Sequence, residues 1–377
     1  MPFTRRSISI SLVSGVVALS SALAACGSST TTAAAPEQKH IFYIMMENHG
    51  TDQIIGNTAD APYINQLASQ YGVAMNYYGV THPSLPNYLA AISGDYQGIW
   101  DDCKAGAAVT CAPIEFVQGD QTLTQDQVTS STAQAHMFAG QNIIDQLETK
   151  KLTWKAYMQS MPSAGFTGEY YPTTTDATGN VTSYKLYAQK HNPFVYFSDV
   201  VNNPARMQNI VPFISFNDDM RQGHVPSFVW ISPDQCHDMH GVSSSTAAAV
   251  GLPDCAAPAT GLDHSTITLG DTYLSKVVPE IMHSPAFTKN SEIVIAWDEN
   301  DYTGNAGCCK SPVGQSSAVL GGDRAPLLVI TGNGAKHVTD DTKYNHYALL
   351  NQIEKEFGLS CLVNACDQAS MEKLFHP

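Results

Sequence analysis

Basic residues are scarce in this chain. Lysine and arginine number 19 against 34 aspartates and glutamates, and the formal charge is −15. So acidic a protein lacks the electrostatic footprint of a nucleic-acid binder and gains nothing from charge at an anionic membrane. Cys-x-x-Cys pairs are missing, which argues against zinc ribbons and thioredoxin-like redox chemistry. There is no internal repeat. Beyond the first 25 residues no apolar run approaches the ~18 residues needed to span a bilayer.

What is present begins with an export signal, residues 1–25. Arg5-Arg6 supplies its charged start, and Ile8 to Ala24 its apolar stretch. Leu23-Ala24-Ala25-Cys26 resembles a bacterial lipobox, which implies cleavage before Cys26 and acylation of that cysteine. An ordinary secretory signal is the alternative. The lipoprotein reading predicts an exported protein attached to the membrane through Cys26, facing the periplasm or the cell exterior. Residues 26–38, rich in Ser, Thr and Ala, read as a flexible tether, and 39–377 as one large domain. With Cys26 set aside, eight cysteines remain, an even number that suggests disulfides in an exported protein. The local pairings are Cys103–Cys111, Cys236–Cys255 and Cys361–Cys366, which leaves Cys308-Cys309 as a vicinal bridge.

Short apolar runs at 41–46, 194–197, 227–231, 292–297 and 327–330 predict strands buried on both faces, as in a parallel sheet. Leu269, Tyr273, Leu274, Val277, Val278 and Ile281 share one helical face, as do Leu349, Leu350, Ile353 and Phe357. This alternation predicts an α/β fold. Residues 101–135 and 159–190 are polar and rich in Gly and Thr, and are expected as long loops or a cap over one end of the sheet.

Ser84 precedes the apolar run Leu85 to Ile92, which stops at Ser93-Gly94. The pattern predicts a helix with Ser84 as its N-cap, at the end that favours an anion. Acids follow three of the predicted strands. Glu47-Asn48-His49-Gly50 follows the first, Asp234-Gln235-Cys236-His237-Asp238-Met239-His240 the third, and Asp298-Glu299-Asn300-Asp301 the fourth. Ligands bind beyond the carboxyl ends of strands in open parallel sheets, so these groups and Ser84 are expected to converge. Singly, each has a plain reading: a cap, a solvated turn, a surface histidine. Jointly, Glu47, Asp298 and Glu299, with Asn48 and the Ser84 hydroxyl, make an all-oxygen set that suits one hard divalent cation. Ca²⁺, Mg²⁺ or Mn²⁺ fits it better than Zn²⁺. Such a cation would lower the hydroxyl pKa of Ser84 and make it a nucleophile. His82, His237, His240, His264 and His346 are candidate donors to phosphate oxygens when protonated.

The stretch His82-Pro83-Ser84-Leu85-Pro86-Asn87-Tyr88, preceded by Met46-Glu47-Asn48-His49 and followed by Trp297-Asp298-Glu299-Asn300-Asp301, resembles the phosphoesterase family of bacterial and fungal acid phosphatases and non-haemolytic phospholipases C. Lys190-His191-Asn192-Pro193-Phe194, His264 and Tyr344-Asn345-His346-Tyr347 extend the resemblance over roughly 39–358. It implies an alkaline-phosphatase-like three-layer sandwich, with a mostly parallel central sheet and loop or cap insertions. It implies Ser84 as a nucleophile that becomes phosphorylated, and Glu47, Asn48, Asp298 and Glu299 as a single-metal site. Asn87 would bind phosphate. Asp234, with His237 or His240, and His346 fall where the wider superfamily places a second metal, and here histidines would replace it. His264, His346 or His237 would move protons, while His82, His191 and His240 would face the substrate. The expected activity is a metal-dependent acid phosphatase acting on small phosphomonoesters. A phospholipase C or other phosphodiesterase is the alternative within the family. A non-catalytic, phosphate-binding surface lipoprotein is the alternative outside it.

Overall fold

The structure is a computed structural model, and it describes residues 38–106, 109–113 and 122–377. The expected signal, the Cys26 expected to be acylated and all but the last residue of the expected tether lie outside the described residues. Among the described residues there are ten strands: β1 (Ile41–Met46), β2 (Gly72–Tyr78), β3 (Trp154–Met158), β4 (Tyr170–Thr175), β5 (Val181–Ala188), β6 (Ile210–Pro212), β7 (Phe228–Ser232), β8 (Glu292–Trp297), β9 (Arg324–Thr331) and β10 (Val338–Asn345). Eight form one sheet in the order β10-β2-β9-β8-β1-β7-β3-β6, and β4 and β5 pair separately as an antiparallel hairpin. β9 is antiparallel to both of its neighbours, while the other pairs in the large sheet are parallel. The fold is thus α/β with a mostly parallel central sheet.

The central strands β1, β7 and β8 are buried along their whole length, so nearly every side chain in them is apolar. The Ser84–Ser93, His264–Met282 and His346–Glu356 helices bury apolar residues in the core, and the first is buried at every position. Four expected strands are present. The fifth, at 194–197, is instead a 3₁₀ turn over Pro193–Tyr196, because Pro193 fixes the backbone before an aromatic plug that packs on Trp154 and Trp230. The segments expected as loops hold the Gln125–Ala133 helix and the β4–β5 hairpin. All four expected disulfides are formed, including the vicinal Cys308–Cys309 pair.

β1 and β8 lie side by side with Met46 level with Trp297, and the Asp298 N–H donates to the Met46 carbonyl. Glu47 and Asp298 therefore leave adjacent strands at the same height. β2 runs out through Gly79 towards Ser84. A side chain at Gly79 would meet the Asp298 carbonyl at 2.8 Å and the Glu299 Cα at 3.1 Å, so only glycine lets the serine-bearing segment lie against the acidic turn.

Candidate active site

Ser84 is the first residue of its helix, and Pro83 is the N-cap. The expectation of Ser84 as the cap is corrected by this shift of one residue. Its hydroxyl makes no cap bond and instead faces the acids. Ser84 Oγ lies 2.9 Å from Glu47 Oε2, 3.3 Å from Glu299 Oε1 and 3.1 Å from Lys190 Nζ. Glu47, Ser84, Asp298 and Glu299 are all fully buried. Asn48 adopts a left-handed backbone at φ 48°, and its N–H donates to Asp298 Oδ1 at 3.1 Å.

Two cationic side chains stand at the serine and its acids, of which Lys190 is absent from the expected site. The Lys190 ammonium touches Ser84 Oγ, Asp102 Oδ2 at 3.1 Å and His240 Nε2 at 3.5 Å. Because His240 Nδ1 lies 2.8 Å from the Gly241 carbonyl, that nitrogen carries the proton of the neutral ring. His240 Nε2 is then an acceptor, and the three N–H groups of Lys190 have three acceptors. Burial pulls the Lys190 pKa down, and the charges of Asp102 and Glu47 more than reverse this. His191 sits with Nε2 3.2 Å from Glu47 Oε1 and Nδ1 3.2 Å from Asp238 Oδ2, and its ring stacks on Tyr88. Burial opposes its charge, yet the two carboxylates raise its pKa to about 9, so it is a cation at neutral pH. Sequence reasoning had placed His191 on the substrate but missed Lys190, Asp102 and Asp238. The adjacency of Lys190 to His191 was the available signal for the lysine.

Other expected residues stand elsewhere. Asn87 is buried, and its oxygen accepts from the Val80 and Thr81 N–H groups while its nitrogen donates to the Thr81 and Pro83 carbonyls. It braces the turn before Ser84 and has nothing left for phosphate. His346 is fully buried between the Tyr77 hydroxyl at 2.7 Å and the Asp298 carbonyl at 2.6 Å, with its pKa lowered to about 4 by burial. It props Asp298 from behind. His264 is exposed at a helix start and pairs with Asp60 at 2.7 Å. Asp234 accepts from Ser160 and from its own turn, and His237 bonds Asp234 and Gln159. Among the described residues no hydrogen bond or ion pair joins His264, Asp234 or His237 to Ser84 or its acids. His82 does reach the cluster, through Glu299, and stacks on Tyr302. Burial lowers its pKa to about 4, and burial with Lys190 does the same for His240. His82, His240 and His346, expected as protonated donors, are thus neutral, and the charged imidazole near the serine is His191, which was expected only to face the substrate.

The charge balance bears on a cation. Five carboxylates, Glu47, Asp102, Asp238, Asp298 and Glu299, meet two cations, Lys190 and His191. Burial, then mutual repulsion, pushes Asp298 and Glu299 well above the usual carboxylate range. Asn48 Oδ1 and Asp298 Oδ2 are buried without a hydrogen-bond partner, and Glu47 Oε1 has only its ion pair with His191. Orphaned hard oxygens in an under-neutralised cluster fit a divalent cation. Among the described residues, the tight sets of ligand atoms, within 4.8 Å of one another, lie elsewhere, at Asp101, Cys103 and Cys111 and at Glu356, Glu372 and His376. The former includes a disulfide, so its sulfurs are not thiolates. A cleft of about 560 Å³ at the amino ends of β3 and β7, lined by Trp154 and Pro226, is at the opposite end of the sheet from these acids.

A family profile described as the Phosphoesterase family matches residues 57–360. The "Probable acid phosphatase" of Kluyveromyces lactis is 27% identical over 321 residues, 85% of this chain and 58% of that protein. The phosphate-repressible acid phosphatase of Penicillium chrysogenum is 25% identical over 299 residues, 79% of this chain and 55% of that protein. A phosphatidylinositol-3-phosphatase of Mycobacterium tuberculosis is 25% identical over 325 residues, 86% of this chain and 78% of that protein. The chain thus spans little more than half the length of the two fungal relatives. Among solved structures, an alkaline phosphatase superfamily protein of Vibrio parahaemolyticus aligns at 10% identity and TM-score 0.48, over 90% of this chain and 72% of that one.

Proposed function

The chain belongs to the phosphoesterase family, and on that premise we propose that it is an acid-phosphatase-like hydrolase of small phosphomonoesters with Ser84 as its nucleophile. The observation that carries this reading is the hydroxyl's position. Ser84 Oγ lies between the Glu47 carboxylate, which can take its proton, and the Lys190 ammonium, which stabilises the alkoxide. Glu47, Asn48, Asp298 and Glu299 would hold the cation, which when bound neutralises phosphate charge and favours the ionised serine.

In the first step the Ser84 proton passes to Glu47 Oε2 as Oγ attacks phosphorus in line and the bond to the alcohol breaks. The leaving oxygen takes a proton from water. The hydroxide so formed attacks phosphoserine from the vacated side, and Oγ recovers its proton from Glu47. His191 holds the far oxygen of Glu47, and His346 holds the Asp298 backbone, so the two histidines position acids rather than carry the transferred proton. Ser84→Ala should lose at least ~10³-fold in kcat, about 4 kcal/mol of transition-state stabilisation. Acid-quenched enzyme should carry a phosphate adduct on the Ser84 peptide. Near-wild-type turnover by the variant, or an adduct on histidine, would move the nucleophile. Assay of phosphatidylcholine beside a monoester separates this reading from a phospholipase C.

A further inference from the structure

The start of the Ser84 helix should attract an anion, and it already holds one. Asp102 Oδ1 accepts from the Leu85 N–H at 3.0 Å, and Asp102 Oδ2 from Lys190 Nζ at 3.1 Å. These are the backbone donor next to the serine and the cation that touches its hydroxyl. A phosphate presented to Ser84 needs the same two donors, because a helix N-terminus and an ammonium are what the site offers to anionic oxygens.

The geometry points to Asp102 as an internal stand-in for the substrate phosphate, a carboxylate that occupies the donors of the anion site and is displaced when substrate binds. This rests on the reading of Ser84 as the nucleophile. The surroundings favour displacement of the side chain alone. Asp101 is pinned to His136 at 2.7 Å, and Cys103 is held by its disulfide and by the Tyr196 hydroxyl on its carbonyl at 2.8 Å. The backbone is thereby anchored on both sides of Asp102. The Asp102 side chain is a quarter exposed, whereas Ser84 and its acids are sealed. It borders a cleft of about 330 Å³ whose lining includes Lys104, Glu169 and Tyr170. That cleft has room for the carboxylate to swing away, and Lys104 makes no ion pair among the described residues. Asp102 would then act as a positioning residue with a specificity role. It keeps Lys190 aimed at Ser84 while the site is empty, and it admits only anions able to compete for both donors.

The test is inorganic phosphate binding by calorimetry, with full-length Asp102→Asn and Asp102→Ala, each in wild-type and Ser84→Ala backgrounds. Asn keeps an oxygen for the Leu85 N–H but drops the charge, and Ala drops both. Removal of an anion competing for the site should tighten phosphate binding about tenfold, and at least threefold, in both variants. Unchanged or weaker binding overturns the proposal, since a residue that only orients Lys190 would lower kcat without tightening phosphate. If Asn does not fold, Ala carries the comparison alone. The binding readout is independent of turnover. Full activity of Ser84→Ala would sink the nucleophile while leaving the phosphate comparison readable.

Discussion

β8 carries a buried carboxylate at each end, Glu292 before its first apolar residue and Asp298 after its last. Burial drives both pKa values upward. The next influence differs in sign. At Glu292 it is the Lys39 ammonium, 3.5 Å away, which favours the charged form. At Asp298 it is the carboxylates of Glu47 and Glu299, which oppose it. The amino end of the strand carries its own counter-ion. The carboxyl end gathers more negative charge than Lys190 and His191 can balance. A buried acid is common enough to need only a structural account. A convergence of acids that the protein does not neutralise, beside the buried Ser84 hydroxyl, is the feature that marks a functional end.

The largest expected effect exploits this asymmetry. Asp298→Ala should abolish turnover, by at least ~10³-fold in kcat, and exhaustive chelation of the wild type should do the same. Glu292→Gln should leave kcat within about twofold, as a purely structural acid would. Equal losses from both ends, or full activity with no metal by elemental analysis, would break the contrast. A smaller effect should follow removal of one of the two resident cations. Lys190→Met keeps the bulk of the stem but loses the charge beside Ser84 Oγ, and kcat should fall about 10²-fold. Lys39→Met, the matching change at the other end, should leave kcat unaltered. A Lys190 variant with normal kcat and only a raised KM would reduce that residue to substrate binding.

The contrast was partly legible in the sequence. Glu47 and Asp298-Glu299 follow apolar runs that form buried strands, so their place at one end of the sheet follows from strand direction and parallel pairing. Ser84 was legible through the helix that it begins, although the cap fell one residue earlier. The histidines were not. Burial, tautomer and partner decide whether an imidazole is a cation, and none of these is written locally. His191 is charged because Glu47 and Asp238 arrive from other segments, while His346 is neutral because its burial outweighs the Asp298 carbonyl that accepts from it. Asn87 reads in the sequence as a phosphate ligand, but its four hydrogen bonds go to the backbone of the preceding turn. Asp102 and Lys190 come from stretches without periodicity, where spacing carries no information about what meets across space.

The smallest expected effect concerns stability rather than rate. Glu292 is 2% exposed, and burial chiefly raises its pKa from the usual 4.5 to about 8. For an acid raised in this way the folded state binds the proton more tightly than the unfolded chain. The favourable contribution is fully present below about pH 4.5 and is lost as pH climbs through 8. Wild-type stability from this group should therefore decline between those limits, the reverse of the usual salt-bridged carboxylate. Glu292→Gln cannot ionise and should not follow that decline. Lys39 retains Glu356 in the variant, so the ammonium is not stranded. The partial exposure of Lys39 softens the desolvation, which sets the expected gain over wild type at ~2 kcal/mol at pH 9. At pH 5 the two proteins should unfold at nearly the same denaturant midpoint. Denaturant melts at the two pH values read this directly. A variant less stable than wild type at pH 9 would mean that Lys39 holds Glu292 ionised in the folded state, and that the amino end of β8 is a working ion pair rather than a buried acid.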